Sequence, residues 1–185
     1  MLDKRNVINE YKNKTNMEIM HDLDSRRLDF SVICNNLCND FNIGAVVRNA
    51  NAFLAKEVIM YGRRKYDKRS TVGTHNYTHF HYCPDKIYLR DYLWKDNKVI
   101  IGVEDTPNAH DFREFAWDVG GHIVLMFGNE DNGIPDEDMH MCDAFVKIPQ
   151  YGSVRSLNVA CASSILMSHV AHYLNPNTRR LTQAY

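Results

Sequence analysis

Short apolar runs recur along the chain behind an initial polar segment. Each run is four or five residues long and consists mostly of β-branched or aromatic residues. The runs cover residues 30–34, 58–61, 99–103, 123–127 and 144–148. Runs of this length are too short for buried helices, and continuous apolar character is typical of strands covered on both faces. The pattern therefore predicts five strands of a mainly parallel sheet.

Segments with helical spacing of their apolar residues lie between or after these runs. They cover about residues 43–54, 86–95, 111–117 and 156–174, with a shorter helix over 135–141. Strands that alternate with helices build a layered fold, because the helices cover the faces of the sheet. We therefore expect an α/β fold in which a mainly parallel sheet carries helices on both faces.

The chain divides into an N-terminal arm, a body and a short C-terminal tail. Residues 1–28 are polar with a broken apolar pattern, which predicts a helical arm that packs on the body or on a partner subunit. Residues 29–174 form the body, and residues 175–185 form a short tail. Because no internal repeat or low-complexity linker interrupts residues 1–185, we expect a single domain.

Composition narrows the classes of partner and compartment. With 22 Lys and Arg against 23 Asp and Glu, the formal charge of −1 does not by itself indicate nucleic acid, although a neutral total can conceal a basic face. No apolar run approaches the roughly 20 residues of a membrane span. The five cysteines include no Cys-x-x-Cys pair, and the first residues do not resemble a signal peptide. We therefore expect reduced thiols, no membrane partner and a cytoplasmic location.

Ligands bind at the carboxyl ends of the strands in parallel sheets, so the loops after the strands are where chemistry is expected. After the first strand, Asn42 is placed to cap a helix, and Arg48 fits either a surface ion pair or a group that meets an anionic substrate. After the fourth strand, Gly128 permits a tight turn or a close approach to a ligand, and Glu130 follows it. An acidic capped turn explains this second loop equally well.

The loop after the fifth strand is the most distinctive of the three. Ser156 is a natural N-cap for a helix that continues to residue 174, and Asn158 falls in the first turn of that helix. Small residues then let the helix backbone come close to a sheet or a ligand. A capped amphipathic helix accounts for Ser156, but it accounts less well for the order Ser-Leu-Asn-Val and for the neighbouring Arg155.

Taken together, the three loops resemble a known motif set. The chain contains Asn-x5-Arg, then Phe-Gly-x-Glu-x-x-Gly-Ile, then Ile-Pro-x-x-Gly-Ser-Val-x-Ser-Leu-Asn-Val. In order and spacing these motifs resemble the SpoU/TrmH branch of the SPOUT methyltransferases over about residues 29–174. The resemblance implies S-adenosylmethionine-dependent methylation of ribose 2′-hydroxyls in tRNA or rRNA. It also implies a homodimer and a C-terminal trefoil knot.

The same resemblance implies roles for individual residues. Three match positions whose backbone holds the cofactor: Gly128, Ile148 and Leu157. Three more, at the end of the third strand, would lie beside it: Gly102, Val103 and Glu104. Five others match the polar active-site set of the family: Asn42, Arg48, Glu130, Ser156 and Asn158.

The resemblance leaves the chemical role of Arg48 to be argued. A guanidinium is effectively always protonated, which speaks against a general base. We expect Arg48 to bind the phosphate next to the reacting ribose and to stabilise the developing alkoxide, with Ser156 or water relaying the proton. Glu130 and Asn158 are expected to orient the loop and Arg48, across the dimer interface if the dimer places them there.

A basic run with tyrosines beside it follows the second strand. Five basic residues fall within seven positions: Arg63, Arg64, Lys65, Lys68 and Arg69. Such a run usually covers a solvated face, but with the family resemblance it is expected to contact RNA phosphates. Arg179 and Arg180 are a weaker second candidate. The 28-residue arm is too short for a separate RNA-binding domain, which favours tRNA over rRNA as the partner.

One further cluster has metal-binding residue types. His75, His79, His81 and Cys83 supply enough ligands for zinc by number alone. Their spacing matches no closed zinc motif, and the aromatic residues between them predict an extended segment. We therefore expect no metal.

Two alternative functions stay open beside the ribose methyltransferase. One is a catalytically inactive knotted protein that binds RNA or assists assembly, although the complete polar set argues against lost activity. The other is a base methyltransferase of a related knotted branch, which the Ser-Leu-Asn-Val order disfavours.

Overall fold

Seven parallel strands form one sheet in the computed structural model, which describes residues 3–35, 39–62, 65–129 and 132–175. In chain order the strands are β1 (Phe30–Asn35), β2 (Val58–Tyr61), β3 (Phe80–Cys83), β4 (Lys98–Val103), β5 (His110–Asp111), β6 (His122–Phe127) and β7 (Ala144–Lys147). Their order across the sheet is β3-β2-β1-β6-β4-β7-β5, and every neighbouring pair is parallel. The predicted α/β class with a parallel sheet is confirmed.

Five α-helices lie among the described residues, and they cover both faces of the sheet. They are α1 (Asn16–Asp24), α2 (Asp40–Ala52), α3 (Lys86–Leu93), α4 (Asp136–Met139) and α5 (Val159–Leu174). Helices α2 and α5 pack together on one face, and α3 packs on the other. No helix in the described part of the chain is long and apolar enough to span a membrane.

Alternation along the central strands divides the core into two layers. On β1, Val32 faces the layer of α2 and α5, whereas the next residue, Ile33, faces the layer of α3. On β6, Leu125 and Met126 alternate in the same way, and all four side chains are fully buried. Both strands are therefore covered on two sides, which explains why their sequences read as continuous apolar runs.

The segment before β1 packs on the body of the protein. Thr15 caps α1, and its side chain and that of Glu18 form a reciprocal capping box. The buried Ile19 of α1 packs in a small cluster with Tyr77. Arg27, which follows the helix, donates a hydrogen bond of 2.9 Å to the backbone carbonyl oxygen of Tyr77. The segment is thus held by both apolar packing and hydrogen bonds.

The helix predicted over 111–117 is wrong. Strand β5 ends at Asp111, and the backbone N–H of Phe112 still donates to the last carbonyl oxygen of β7. The carboxylate of Asp111 accepts a hydrogen bond of 3.0 Å from the backbone N–H of Arg113, a turn that competes with helix formation. The apolar residues of this segment instead pack in the core, as Phe112 does.

Helices α2 and α5 begin at different caps from those expected. Asn39 caps α2, so the helix begins at Asp40 and Asn42 lies in its first turn. Asn158 caps α5, and Ser156 remains in the preceding loop. Each true cap is another short polar side chain within three residues of the expected one, and its backbone is non-helical, as a cap requires.

Candidate active site

A cavity of about 840 Å³ opens at the carboxyl ends of β4, β6 and β7. Its walls come from the loop after β4, the loop after β6 and the loop between β7 and α5. Cavities of this size hold cofactors and small substrates. Five of the six residues predicted to hold or flank a cofactor line it: Val103, Glu104, Gly128, Ile148 and Leu157. The sixth, Gly102, is not among the described residues of its wall.

The loop after β6 folds tightly against Glu104. Asn129 and Gly133 exchange two backbone hydrogen bonds of 2.8 Å, and the backbone N–H of Ile134 donates to Glu104 Oε2 at 3.0 Å. A Cβ on Gly128 would lie 2.2 Å from the carbonyl carbon of Gly133, and a Cβ on Gly133 would lie 2.4 Å from Glu104 Oε2. Only glycine fits at both positions, so Glu104 and this loop shape the cavity together.

Asn158 connects the cavity to helix α2. Its Oδ1 accepts a hydrogen bond of 2.9 Å from the backbone N–H of Ala160, and its Nδ2 donates to Asn42 Oδ1 at 3.1 Å. Asn42 is buried, whereas Asn158 and Ser156 are exposed and line the cavity. The structure thus brings three of the predicted polar residues together at one edge of the cavity.

Arg48 is exposed on α2 and makes no hydrogen bond or ion pair with another described residue. The next residue, Asn49, donates to the carbonyl oxygen of Ala160 at 3.1 Å and to Ser163 Oγ at 3.0 Å, which ties α2 to α5. The guanidinium is therefore carried on an anchored helix and is available to an anionic ligand. Glu130, the fifth member of the predicted polar set, lies outside the described residues.

The described residues include only part of the basic run predicted to bind RNA. Arg63 and Arg64 lie outside the described residues, and three members of the run are exposed: Lys65, Lys68 and Arg69. We call residues 65–73 the basic loop.

The basic loop packs on α2. Ser70 Oγ donates to the carbonyl oxygen of Asp40 at 2.9 Å, and the backbone N–H of Asp67 donates to Asp40 Oδ2 at 2.9 Å. Gly44 makes this approach possible, because a Cβ there would lie 2.0 Å from Ser70 Oγ. Positions 40, 44 and 48 are spaced by four and share one face of the helix. The loop contacts the first two positions, and Arg48 occupies the third, one turn further along the helix.

The histidines and the cysteine singled out in the sequence have separate surroundings. His75 Nδ1 lies 2.6 Å from a threonine hydroxyl, and His79 Nε2 lies 2.8 Å from a carboxylate of α1. The ring of His81 stacks on Tyr92 with 3.5 Å between centroids. Burial raises the pKa of the Cys83 thiol to about 11. Within the described residues, no three His, Cys, Asp or Glu side chains are grouped so that they could hold a metal ion.

A second cavity, of about 830 Å³, lies at the amino ends of the strands, opposite the first cavity. Beside it His122 Nε2 lies 2.8 Å from Ser31 Oγ, and His122 Nδ1 lies 2.6 Å from Asp29 Oδ1. The order Ser-His-Asp is that of a hydrolase triad. Ser31 is fully buried in β1 and cannot reach a substrate, so this chain of hydrogen bonds ties the starts of β1 and β6 together.

The fold and the first cavity define an α/β protein that binds a small ligand beside the carboxyl ends of parallel strands, with an exposed arginine on a neighbouring helix. Residues 29–168 match the SpoU rRNA Methylase family. Because the match covers more than half of the sequence, the chain belongs to this family, and the membership predicted from the three motifs is confirmed.

Two curated relatives indicate the range of the family. A putative TrmH family tRNA/rRNA methyltransferase from Staphylococcus haemolyticus is 29% identical over 152 residues, which cover 80% of this chain and 60% of the relative. The tRNA (guanosine(18)-2′-O)-methyltransferase of Thermus thermophilus is 26% identical over 148 residues, which cover 78% of this chain and 75% of the relative. The chain thus spans about 60% of the first relative's length.

Solved structures share the fold. The SpoU methyltransferase AviRb from Streptomyces viridochromogenes, in complex with the cofactor AdoMet, is 26% identical with a TM-score of 0.71, over 82% of this chain and 60% of that chain. The A. aeolicus TrmH/SpoU tRNA modifying enzyme is 23% identical with a TM-score of 0.75, over 91% of this chain and 84% of that chain. This second likeness shows the fold alone.

Proposed function

We propose that the protein is an S-adenosylmethionine-dependent RNA methyltransferase that transfers a methyl group to a ribose 2′-hydroxyl. The observation that carries the proposal is the cavity at the carboxyl ends of the strands, which five of the six predicted cofactor residues line. Family membership supports the methyltransferase class, and the complex of AviRb with AdoMet supports the cofactor.

The chemistry of the cavity fits this cofactor. S-adenosylmethionine carries a cationic sulfonium, an amino acid end with both charges and a neutral nucleoside. The cavity has both charges on its walls, with acidic Glu104 and Asp105 and basic Lys147 and Arg155, and apolar Ile148 among its other residues. Carboxylates suit the cationic groups of the cofactor, the basic side chains suit its carboxylate, and the apolar wall suits its purine.

The side chains at the cavity's edge have roles in positioning and charge stabilisation. When bound, the cofactor supplies an activated methyl group, so the protein must chiefly orient the ribose hydroxyl. Arg48 binds the phosphate beside the ribose and stabilises the developing alkoxide, while Ser156 or water relays the proton of the hydroxyl to bulk solvent. Asn158 orients the loop through its bond to Asn42. Glu130 has a positioning role in this proposal.

RNA contacts the basic loop, which packs on Asp40 and Gly44 of α2, and Arg48, which lies one turn further along that helix. Phosphate contacts of this kind position a substrate without reading its sequence. We favour tRNA over rRNA as the substrate, since the relative from Thermus thermophilus is named for guanosine 18 of tRNA. A cytoplasmic location goes with such a substrate, and the trefoil knot implied by the family resemblance stays a prediction.

A homodimer is the proposed assembly. Apolar side chains beside the cavity are exposed, among them Phe41 at 78%, Tyr151 at 87% and Val154 at 62%. The bond between Asn42 and Asn158 holds the start of α2 next to the loop that carries Tyr151 and Val154. Exposed apolar groups that share one region mark a protein interface, and here a second copy of the chain would cover them.

Incorporation of methyl label tests the activity and the class of RNA. The protein is incubated with methyl-labelled S-adenosylmethionine and with separate tRNA and rRNA pools, and Arg48→Ala serves as the control. We expect label in tRNA and none above background with the variant. Label in rRNA alone would overturn the preference for tRNA. Binding of both cofactor and RNA without any transfer would instead identify the inactive RNA-binding protein.

A further inference from the structure

Asp138 is a buried carboxylate that the proposed mechanism does not use. It lies on α4, directly after the loop that follows β6, and its side chain is 2% exposed. Asn35 Nδ2 donates a hydrogen bond of 3.0 Å to Asp138 Oδ2, and the hydroxyl of Tyr61 donates one of 3.3 Å to Asp138 Oδ1. Lys86 Nζ lies 4.0 Å from Asp138 Oδ1. One carboxylate thus gathers partners from β1, β2 and the start of α3.

The two hydrogen-bond donors stand at the ends of neighbouring strands. Asn35 is the last residue of β1, Tyr61 is the last residue of β2, and the two are register partners in the sheet. Both residues are buried. Burial and the neighbouring Asp138 carboxylate raise the pKa of Tyr61 to about 12, so its hydroxyl stays protonated and donates at neutral pH. The carboxylate therefore ties the carboxyl ends of both strands to the segment after β6.

Stability alone gives little reason for a carboxylate at this place. A buried charge loses its hydration, and well-packed apolar side chains of similar volume are often as stable as a buried ion pair or more so. Ile134 and Met139, on either side of Asp138 in the chain, pack in the apolar layer of α3. What the carboxylate adds to such a layer is a set of directional bonds between three parts of the chain.

Each of these parts leads to the proposed site. Beyond β1 the chain continues to α2, which carries Arg48, and beyond β2 it continues to the basic loop. The loop before α4 contributes Gly128 and Gly133 to the wall of the cavity. Asp138 is thus placed where the RNA side of the site joins the cofactor side.

We propose that Asp138 is a positioning residue for methyl transfer, whose carboxylate fixes the ends of β1 and β2, and with them Arg48 and the basic loop, relative to the cofactor cavity. The inference rests on the proposed function. Asp138 is not among the described residues of the cavity wall, so it acts through the residues it holds. Alignment of the reacting groups matters for rate, since a misplacement of about 1 Å can slow a reaction about a hundredfold.

The cavity itself has separate support. The backbone N–H of Ile134 donates to Glu104 Oε2, and Asn129 and Gly133 bond to each other, without any contribution from Asp138. Loss of the carboxylate should therefore move the RNA side of the site and leave the cofactor side in place. This separates the rate of transfer from the affinity for the cofactor.

The test compares the single-turnover rate of methyl transfer with the dissociation constant of S-adenosylhomocysteine. The rate is measured with excess protein, saturating S-adenosylmethionine and the RNA pool that the wild-type chain methylates. We expect Asp138→Leu to lower the rate about tenfold or more and to keep the dissociation constant within about twofold of wild type. Asp138→Asn keeps the shape and one acceptor, so it should recover part of the rate. A wild-type rate for Asp138→Leu, or an equal loss of rate and affinity, would overturn the inference.

Ser31→Ala is the matched control at the other end of β1. Like Asn35, Ser31 is buried and forms a side-chain hydrogen bond, here with His122 at the start of β6. We expect Ser31→Ala to lower the melting temperature and to keep the single-turnover rate within about twofold of wild type. An equal loss of rate in Ser31→Ala and Asp138→Leu would show that rate follows stability, and it would overturn the inference.

Tyr61→Phe decides the question if Asp138→Leu does not fold. It removes one hydroxyl and leaves the carboxylate with its other partners, and we expect the rate to fall about threefold with unchanged affinity for S-adenosylhomocysteine. A wild-type rate for Tyr61→Phe would then overturn the inference. If the wild-type chain transfers no methyl group, the proposed function fails and this inference fails with it. If the wild type is active and the variants match it, the inference alone fails.

Discussion

Arg48 and its neighbour Asn49 have opposite surroundings although they are adjacent on one helix. Asn49 bonds to the backbone and the side chain of α5, whereas Arg48 is exposed and bonds to no described residue. An arginine held only for stability would be expected to have a carboxylate partner. The absence of a carboxylate partner among the described residues supports a role of Arg48 towards substrate, in which planarity and two parallel donors matter.

Arg48→Lys tests that role at constant charge. We expect kcat to fall at least about tenfold, because an ammonium cannot reproduce the planar pair of donors. The dissociation constant of S-adenosylhomocysteine should stay at the wild-type value, since Arg48 is not among the described residues of the cavity wall. Near-normal turnover would show that positive charge alone suffices at this position.

Asn158 combines two structural bonds at the edge of the site. Asn158→Ala removes the cap of α5 and leaves the buried Asn42 without this partner, so we expect the free energy of unfolding to fall by about 1–3 kcal/mol. Asn158→Ser keeps a capping oxygen but cannot donate as the amide does, and it should recover about 1 kcal/mol of that loss. Urea unfolding measures both changes. Wild-type stability of the alanine variant would contradict the two bonds.

At the scale of elements, the apolar runs predicted strands well where both faces of the strand are buried. The central strands β1 and β6 are of this kind. The sequence predicts β3, at one edge of the sheet, only as an extended aromatic segment. In the structure Phe80 is exposed, and His81 and Tyr82 are partly exposed. β5, at the other edge, has two residues and shows no periodicity. Edge strands lack the continuous apolar signal on which such a prediction depends.

The site was predictable to the extent that its residues occur in contiguous motifs. The three motifs identified the loops around the cavity, and family membership was predicted correctly from them. The caps were misplaced, because Asn39 competes with Asn42 and Asn158 competes with Ser156 for the same role. Asp105 and Lys147, which also line the cavity and form an ion pair of 3.1 Å, were missed, since they belong to none of the three motifs.

The contact between α2 and the basic loop predicts an unusual effect of Gly44→Ala on the stability of the protein. On an exposed helix surface Gly→Ala stabilises by about 1 kcal/mol. Gly44→Ala should instead destabilise the protein by about 1–3 kcal/mol, because its Cβ would lie 2.0 Å from Ser70 Oγ and 2.6 Å from the backbone carbon of Ser70. The displaced loop should also weaken RNA binding in a filter assay without changing affinity for S-adenosylhomocysteine.

Ser70→Ala is the control for this contact. It removes the hydrogen bond to the carbonyl oxygen of Asp40 but leaves the close approach to Gly44 intact, so it should weaken RNA binding less than Gly44→Ala. If Gly44→Ala is as stable as the wild type and binds RNA equally well, the basic loop is not positioned by α2.

At the scale of the whole molecule, a formal charge of −1 coexists with a local concentration of basic side chains. Asp67 offsets one of the five basic residues within 63–69 through its ion pair with Arg69, and acidic residues elsewhere in the chain offset the others in the total. Electrostatic attraction of RNA depends on this local distribution more than on the total charge. The near-neutral composition is therefore compatible with RNA binding on one face.

The proposed dimer predicts the mass of the particle in solution. Light scattering should give twice the 21.5 kDa of one chain. Phe41→Lys should give the mass of the monomer, because it places a charge in the exposed apolar region beside the cavity. Trp94→Lys is the matched control, since Trp94 is as exposed as Phe41 but lies at the end of α3.

A monomeric wild-type protein would contradict the assembly. Dissociation by Trp94→Lys and not by Phe41→Lys would move the interface to the other face of the sheet.

The position of the transferred methyl group tests the central claim most directly. RNA methylated by the protein is digested to nucleosides and analysed by mass spectrometry, and a parallel sample is hydrolysed in alkali, which cannot cleave next to a 2′-O-methylated ribose. The account predicts a methylated ribose and an alkali-resistant dinucleotide, both absent with Arg48→Ala. A methyl group on a base, or no methylated nucleoside above the Arg48→Ala level, would contradict it.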